Sequence, residues 1–147
     1  MNLNKLLRPD RILPDITSDK KVGAIRELAG LLEGSEDMRD FRSFLSFLIQ
    51  EEVRLGSVVE NEVAIVHCRH EGVIEPAICI GMSSHGIPFA AEEAVRILVL
   101  IAWPSKHEDV YLKVLGELAR LLQQESVRTR LLTGSTAEDA LDSLSTN

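Results

Sequence analysis

The sequence predicts an α/β fold, because two kinds of hydrophobic periodicity follow one another along its 147 residues. Apolar residues recur every three or four positions near both ends of the chain, which is typical of amphipathic helices. Between these regions lie three short apolar runs rich in β-branched residues, which are typical of buried strands. This order favours a sheet covered by helices on both sides, and we expect one domain spanning residues 1–147.

Two helices are expected before the strands. The first begins after possible N-caps at residues 17–19 and ends near Gly34, and the second is capped within residues 35–37 and ends at residues 55–57. Their apolar faces are formed by Val22, Ile25, Leu28 or Ala29, and Leu32 in the first helix, and by Phe41, Phe44, Leu45, Leu48 and Ile49 in the second.

The predicted strands cover residues 63–66, 77–82 and 95–103. Pro76 and Pro104 border two of them, at positions where no ladder donor is needed. The segment 85–88, which contains glycine and proline, is expected to be a connecting turn.

Helices return after Pro104. One has an apolar face that runs from Tyr111 to Leu122, and a short segment then leads to Leu132. A final helix follows residues 134–136, where Ser135 and Glu138 have the spacing of a capping box.

The net charge argues against two classes of partner. The chain has 23 acidic residues and 16 lysines and arginines, a net charge of −7, which repels nucleic-acid phosphates and anionic lipid surfaces at long range. Aromatic residues make up 4% of the chain, so platforms for base stacking are scarce. We therefore expect neither a nucleic-acid partner nor membrane insertion.

The N-terminal residues and the cysteines favour a cytoplasmic protein. Residues 1–5 lack the basic, apolar and cleavage-site regions of a signal peptide, and no apolar run reaches the roughly 18 residues needed to span a bilayer. The two cysteines, Cys68 and Cys79, are too few for a disulfide framework.

His67 is the first candidate for chemistry. It ends the apolar run 63–66 and opens a polar segment that includes Arg69 and His70. A histidine at the end of a buried strand has a fixed backbone and a ring that can reach solvent, as a phosphoryl-accepting or acid-base imidazole requires. The alternative is a capped structural histidine.

His107 follows the third strand and could share a cleft with His67, since strands ending at the same sheet edge bring their following loops together. The helix that begins near His107 would direct N–H groups towards such a cleft, which suits an anion. Tyr111 lies one turn further on the same helix face, as a second polar group or as part of the apolar face.

These segments together resemble the enzyme IIA domain of the fructose/mannitol class of the sugar phosphotransferase system, over nearly the whole chain. The matching parts are residues 51–57 (EEVRLGS), 63–67 (VAIVH), 87–89 (IPF), 95–104 and 111–119 (YLKVLGELA). Because no transporter or HPr-like module accompanies the domain, it is most similar to the nitrogen-regulatory members. In that family the histidine closing the "AIPH" strand accepts a phosphoryl group, and His67 matches it.

The resemblance implies a three-layer α/β/α sandwich with a mixed sheet. It also implies a phosphohistidine carrier that needs no metal or other cofactor, takes its phosphoryl group from an HPr-type phosphocarrier protein and acts in sugar transport or nitrogen regulation. Tyr111, His107 and Arg54 would support His67. A homodimer is expected by analogy with the family.

Three positions depart from the family pattern. Val66 stands where proline usually precedes the histidine, Glu52 where an arginine is expected, and Tyr111 where a second histidine begins the "HLxxL" motif. The segment 58–62 replaces a glycine-rich approach and is one residue shorter. Arg54 and His107 could compensate for the lost arginine and histidine.

Two other functions remain open at the level of sequence. The first is a regulatory interaction module that keeps the fold, has weak or no phosphotransfer and binds a transporter or kinase through the same face. The second is metal binding through His67, Cys68, His70 and His107, although their spacing matches no regular zinc pattern.

Overall fold

The protein, described as a computed structural model, contains one mixed sheet between two layers of helices. The structure describes residues 3–90, 93–106 and 108–145. The helices there are α1 (Leu3–Leu6), α2 (Lys21–Ala29), α3 (Phe41–Leu55), α4 (Glu108–Gln123), α5 (Glu125–Thr133) and α6 (Ala137–Ser143). The strands are β1 (Ile12–Leu13), β2 (Val59–Glu60), β3 (Val63–Arg69), β4 (Ala77–Ala90) and β5 (Glu93–Trp103).

The strand order is β1-β4-β5-β3-β2. β5 pairs in parallel with β3 and antiparallel with β4, while β1 joins β4 in parallel and β2 joins β3 antiparallel. The predicted α/β/α sandwich with a mixed sheet is therefore confirmed.

Each face of the sheet has its own hydrophobic core. Alternate residues of a strand point to opposite faces, so β3 contributes Val63 and Ile65 to one core and Ala64, Val66 and Cys68 to the other. Helices α4, α5 and α6 cover the first face, and α2 and α3 cover the second. Burial of these apolar faces, more than helix propensity, holds the helices on the sheet.

The helix caps lie later in the chain than the sequence predicts. Helix α2 follows Lys20, because Glu27 accepts hydrogen bonds from the N–H groups of Thr17 and Ser18 and keeps that segment outside the helix. Asp40 caps α3 by accepting from Ser43 N at 3.1 Å, whereas the expected cap residues lie before it.

The last helix is capped by Thr136 and Asp139, one residue after the predicted pair Ser135 and Glu138. The Thr136 hydroxyl accepts from Asp139 N at 3.1 Å, and the Asp139 carboxylate accepts from Thr136 N at 3.2 Å. The prediction was wrong by one position because serine and threonine at neighbouring sites offer the same signal.

The segment 85–88 is not a turn but part of β4. The strand passes through it with a register irregularity between Met82 and Ile87, where Gly86 adopts φ +80°. A bulge of this kind lets a strand continue through glycine, which sequence patterns read as a chain reversal. Both β1 and β2 have two residues and carry no periodic signal of their own.

None of the helices in the described ranges combines the length and the apolar character needed to cross a membrane.

Candidate functional site

His67 lies within a strand, two residues before its end. β3 continues to Arg69 because its parallel partner β5 continues to Trp103, and His67 is paired with Ile101. The sequence-based position at the end of the strand was therefore wrong by two residues. The ring faces the α4 side of the sheet and keeps part of its surface in solvent.

Tyr111 is the residue that holds the imidazole of His67. It comes from the first turn of α4, and its hydroxyl shares a hydrogen bond with His67 Nδ1. The ring centroids of the two residues are 5.9 Å apart. Trp103 supports the phenol ring from the sheet, with a centroid separation of 5.5 Å. The predicted proximity of His67 and Tyr111 is thus present in the structure.

The ionisation of these two side chains follows from their burial. Burial raises the pKa of Tyr111 to about 12, so the phenol stays protonated near neutral pH. Burial lowers the pKa of His67, although the negative charge of Glu52 acts in the opposite direction. The imidazole is therefore mainly neutral at pH 7. Within the described residues, no hydrogen bond engages Nε2.

Glu52 is a buried carboxylate near the site, with 7% of its surface exposed. Its Oε2 accepts a hydrogen bond of 2.7 Å from the Ser57 hydroxyl, and its Oε1 lies 3.1 Å from Lys21 Nζ. The latter contact is an ion pair, and its angle is not that of a hydrogen bond. Both oxygens are therefore matched by a donor or a positive charge, as a buried carboxylate requires.

Arg69 is a site residue that the sequence patterns did not predict. Its guanidinium lies over the Tyr111 ring, with Cζ 5.8 Å from the centroid, and forms an ion pair of 3.4 Å with Glu108. The signal was available: Arg69 stands two positions after His67, and residues i and i+2 of a strand share a face. The site was not recognised because the segment after His67 reads as a polar loop.

Of the other two predicted supporting residues, the structure describes only Arg54. Arg54 is exposed near the end of α3, where its guanidinium bonds Glu51 at 2.7 Å. It is not among the residues that line the cleft beside His67. His107 lies outside the described residues.

A cleft of about 350 Å³ opens beside His67, between β3, the segment before β2, and α4. Its floor is apolar, and its rim carries polar groups that include Ser57 and Glu60. The apolar lining comprises Val58, Val63, Ile65, Leu115, Ala119 and Leu122. Val58 is 82% exposed, so the mouth of the cleft offers an apolar contact surface next to the imidazole.

Of the four side chains considered as metal ligands, the structure describes His67, Cys68 and His70, and these three do not converge. Cys68 points into the core opposite to His67, and burial raises the pKa of its thiol to about 12. His70 packs against Phe47 and accepts a hydrogen bond from Gly72 N at 2.9 Å. In the ranges that the structure describes, no group of three or more His, Cys, Asp or Glu residues is placed to hold a metal ion.

Comparison with known proteins gives a family match over most of the chain. Residues 5–147 match the family "Phosphoenolpyruvate-dependent sugar phosphotransferase system, EIIA 2". The chain belongs to this EIIA family. The expected resemblance is confirmed, and it supports a phosphocarrier or regulatory role in the phosphotransferase system.

Individual EIIA relatives are distant in sequence and near in structure. A nitrogen regulatory protein of Pseudomonas aeruginosa is 27% identical over 141 residues, which is 94% of this chain and 91% of the relative. A fructose-specific EIIABC component of Bacillus subtilis is 26% identical over 143 residues, which is 96% of this chain but only 22% of that protein. The crystal structure of nitrogen regulatory protein IIA-Ntr from Neisseria meningitidis has a TM-score of 0.85 at 27% identity, covering 97% and 99% of the two chains.

The three residues expected to depart from the family pattern have the following surroundings in the structure. Val66 is fully buried in the core behind β3, so the replacement for proline packs and leaves the ladder intact. Tyr111 bonds the imidazole directly. Glu52 forms an ion pair with Lys21.

Proposed function

We propose that this chain, as an enzyme IIA domain covering residues 1–147, is a phosphohistidine carrier that accepts a phosphoryl group on His67 from an HPr-type phosphocarrier protein. The proposed setting is cytoplasmic nitrogen or metabolic regulation, in keeping with the nitrogen-regulatory relatives. The observation that carries the proposal is the bond from His67 Nδ1 to Tyr111, which leaves Nε2 of a neutral imidazole unengaged within the described residues.

The transfer requires one tautomer of His67. When Nδ1–H donates to the Tyr111 oxygen, the lone pair of Nε2 is free to attack phosphorus. The opposite tautomer, in which the phenol donates to Nδ1, places the proton on Nε2 and blocks attack. Because the phenol remains protonated and can both donate and accept, Tyr111 is compatible with either form.

The reaction is a phosphoryl exchange between two imidazoles. Nε2 of His67 forms a bond to phosphorus in line with the donor histidine, and the pair of electrons in the breaking P–N bond returns to the donor ring. The donor starts as a phosphoimidazolium and leaves neutral, while His67 starts neutral and becomes the phosphoimidazolium. No net proton is consumed, and Nδ1–H stays bonded to Tyr111.

Labelling tests this function directly. Incubation with phosphoenolpyruvate, enzyme I and the HPr-type protein of the same organism should give an acid-labile phosphoryl group on this chain. His67→Ala should abolish the label, whereas His85→Ala, which changes an exposed histidine bonded to Ser18 O, should retain it. An unlabelled wild type, under conditions that label an ordinary enzyme IIA, would contradict the carrier function.

A second candidate is a regulatory interaction module without phosphotransfer, which binds a transporter or kinase. Negative groups at the site favour it, because Glu52 and the cleft residue Glu60 oppose a dianionic phosphoryl group nearby. Under this function His67→Ala would keep partner binding unchanged in the absence of any phosphoryl donor. Loss of binding only after phosphorylation of the wild type would instead support a carrier that signals through its phosphorylation state.

A further inference from the structure

Arg69 extends the site beyond the residues that the sequence predicts. We propose that Arg69 is the phosphoryl-binding cation of this chain: its guanidinium leaves Glu108 and binds oxygens of the phosphoryl group on His67 Nε2. This inference rests on the proposed carrier function and deepens it. It concerns a residue outside the family positions considered above, at a site where the expected arginine is replaced by Glu52.

The register of β3 gives Arg69 the necessary position. Residues two apart on a strand lie about 7 Å apart on the same face, so the Arg69 side chain starts beside His67. Both side chains contact the same phenol: the guanidinium Cζ lies 5.8 Å from the Tyr111 ring centroid, and the His67 centroid lies 5.9 Å from it. A long, flexible arginine can therefore reach a group attached to the imidazole.

The present partner of Arg69 is weak. The Arg69–Glu108 ion pair measures 3.4 Å, and the side chains are 36% and 60% exposed. Exposed pairs of this kind contribute little, because solvent screens them and ordering both side chains costs entropy. A phosphoryl group offers three acceptor oxygens and up to two negative charges, so bidentate binding to it is stronger. Replacing the contact of Arg69 with Glu108 by contacts with phosphoryl oxygens therefore lowers the free energy.

Two other cations are less suited to bind the phosphoryl group, because Arg54 does not line the cleft beside His67 and Lys21 is needed by the buried Glu52. Arg54 bonds Glu51 at 2.7 Å on α3. Lys21 compensates the buried charge of Glu52 at 3.1 Å, and its departure would leave that carboxylate uncompensated. Arg69 can change partners without exposing any such buried charge.

In the transfer step, Arg69 stabilises the negative charge of the phosphoryl oxygens and forms no covalent bond. As the P–N bond of the donor breaks and the bond to His67 Nε2 forms, negative charge stays on the equatorial phosphoryl oxygens, where the guanidinium donates hydrogen bonds. The positive charge also offsets the repulsion from Glu52. The guanidinium thereby favours both the transition state and the phosphorylated product.

The test compares transfer rates from a phosphorylated HPr-type protein to wild type, Arg69→Ala and Arg69→Lys. Loss of a charge-assisted contact should slow single-turnover transfer by about 10- to 100-fold in Arg69→Ala. Arg69→Lys should recover part of the rate, since it keeps the charge but not the bidentate geometry. Arg26→Ala is the matched control, because it removes an exposed arginine on α2, the layer behind the sheet, and should transfer like wild type.

A second readout separates a direct contact from a structural effect. Titration of the phosphohistidine by 31P NMR should give a higher phosphoryl pKa in Arg69→Ala than in wild type, because a nearby cation favours the dianion. An unchanged phosphoryl pKa together with an unchanged transfer rate would overturn the role of Arg69 while leaving the carrier function intact. A wild type that takes no phosphoryl group would remove the carrier function, and this inference with it.

Discussion

The Glu52–Lys21 pair is expected to hold the end of α3 against α2, and this can be measured. The perturbation is Glu52→Gln, which keeps the shape of the side chain and removes its charge. At 3.1 Å the Coulomb attraction is about 5 kcal/mol for an effective dielectric constant of 20, and desolvation of the carboxylate offsets much of it. The hydrogen bond of 2.7 Å from Ser57 contributes about 1.5–3 kcal/mol when the acceptor is charged.

The expected net loss is about 2 kcal/mol in the free energy of unfolding, which for a chain of this size lowers Tm by about 6–8 °C. Urea denaturation followed by circular dichroism measures it. A double-mutant cycle with Lys21→Met should give a coupling energy of about 1 kcal/mol or more. Glu51→Gln is the matched control, since it breaks the more exposed pair with Arg54 and should cost less than about 0.5 kcal/mol. Equal stability of Glu52→Gln and wild type would refute the reasoning.

Four further outcomes are expected. Tyr111→Phe should remain folded yet transfer phosphoryl groups more slowly, because no hydroxyl then holds the imidazole at Nδ1; 15N NMR should show a shift of the His67 Nδ1 resonance as this hydrogen bond is lost, and an unchanged rate and Nδ1 resonance would exclude a positioning role. Because burial lowers the pKa of His67, the transfer rate should begin to fall at a lower pH than it would for an imidazole with the ordinary pKa of histidine, and an NMR midpoint above that ordinary value would contradict this expectation. Glu62 has φ 65°, a left-handed conformation that suits glycine, so Glu62→Gly should stabilise the protein by about 0.5–1 kcal/mol in urea denaturation. Asn61→Gly, at φ 56°, should gain less, because asparagine tolerates this region better.

The sequence predicts the layers of the fold better than the ends of its elements. The apolar face of α4 and the three long strands follow from periodicity, because burial in two cores imposes it. The continuation of β4 through Gly86 does not follow, since it depends on the pairing of Ile87 with Val95 of the next strand, β5. Strands β1 and β2 exist only as partners of longer strands, so no local pattern predicts them.

The site was predicted in part for similar reasons. His67 and Tyr111 meet as expected, because α4 packs on the face of the sheet to which His67 points. Arg69 required the true length of β3, which is set by pairing with Trp103 rather than by the residues of β3 themselves. The ion pair of the buried Glu52 with Lys21 connects α3 to α2, and neither helix has a sequence pattern that predicts it.

Because β3 has a hydrophobic core on each side, the fold is sensitive to whether an insertion or deletion next to this strand has an odd or an even number of residues. Moving the strand by one residue would turn Ala64, Val66 and Cys68 towards the α4 side and bury His67 with Val63 and Ile65 on the α2 and α3 side, so a thiol would replace the imidazole beside Tyr111. A shift of two residues would keep each side chain on a sheet face of the same kind as before. An insertion or deletion of one residue in the approach to β3 must therefore be absorbed before Val59 pairs with Ala64, so that odd and even positions keep their sides.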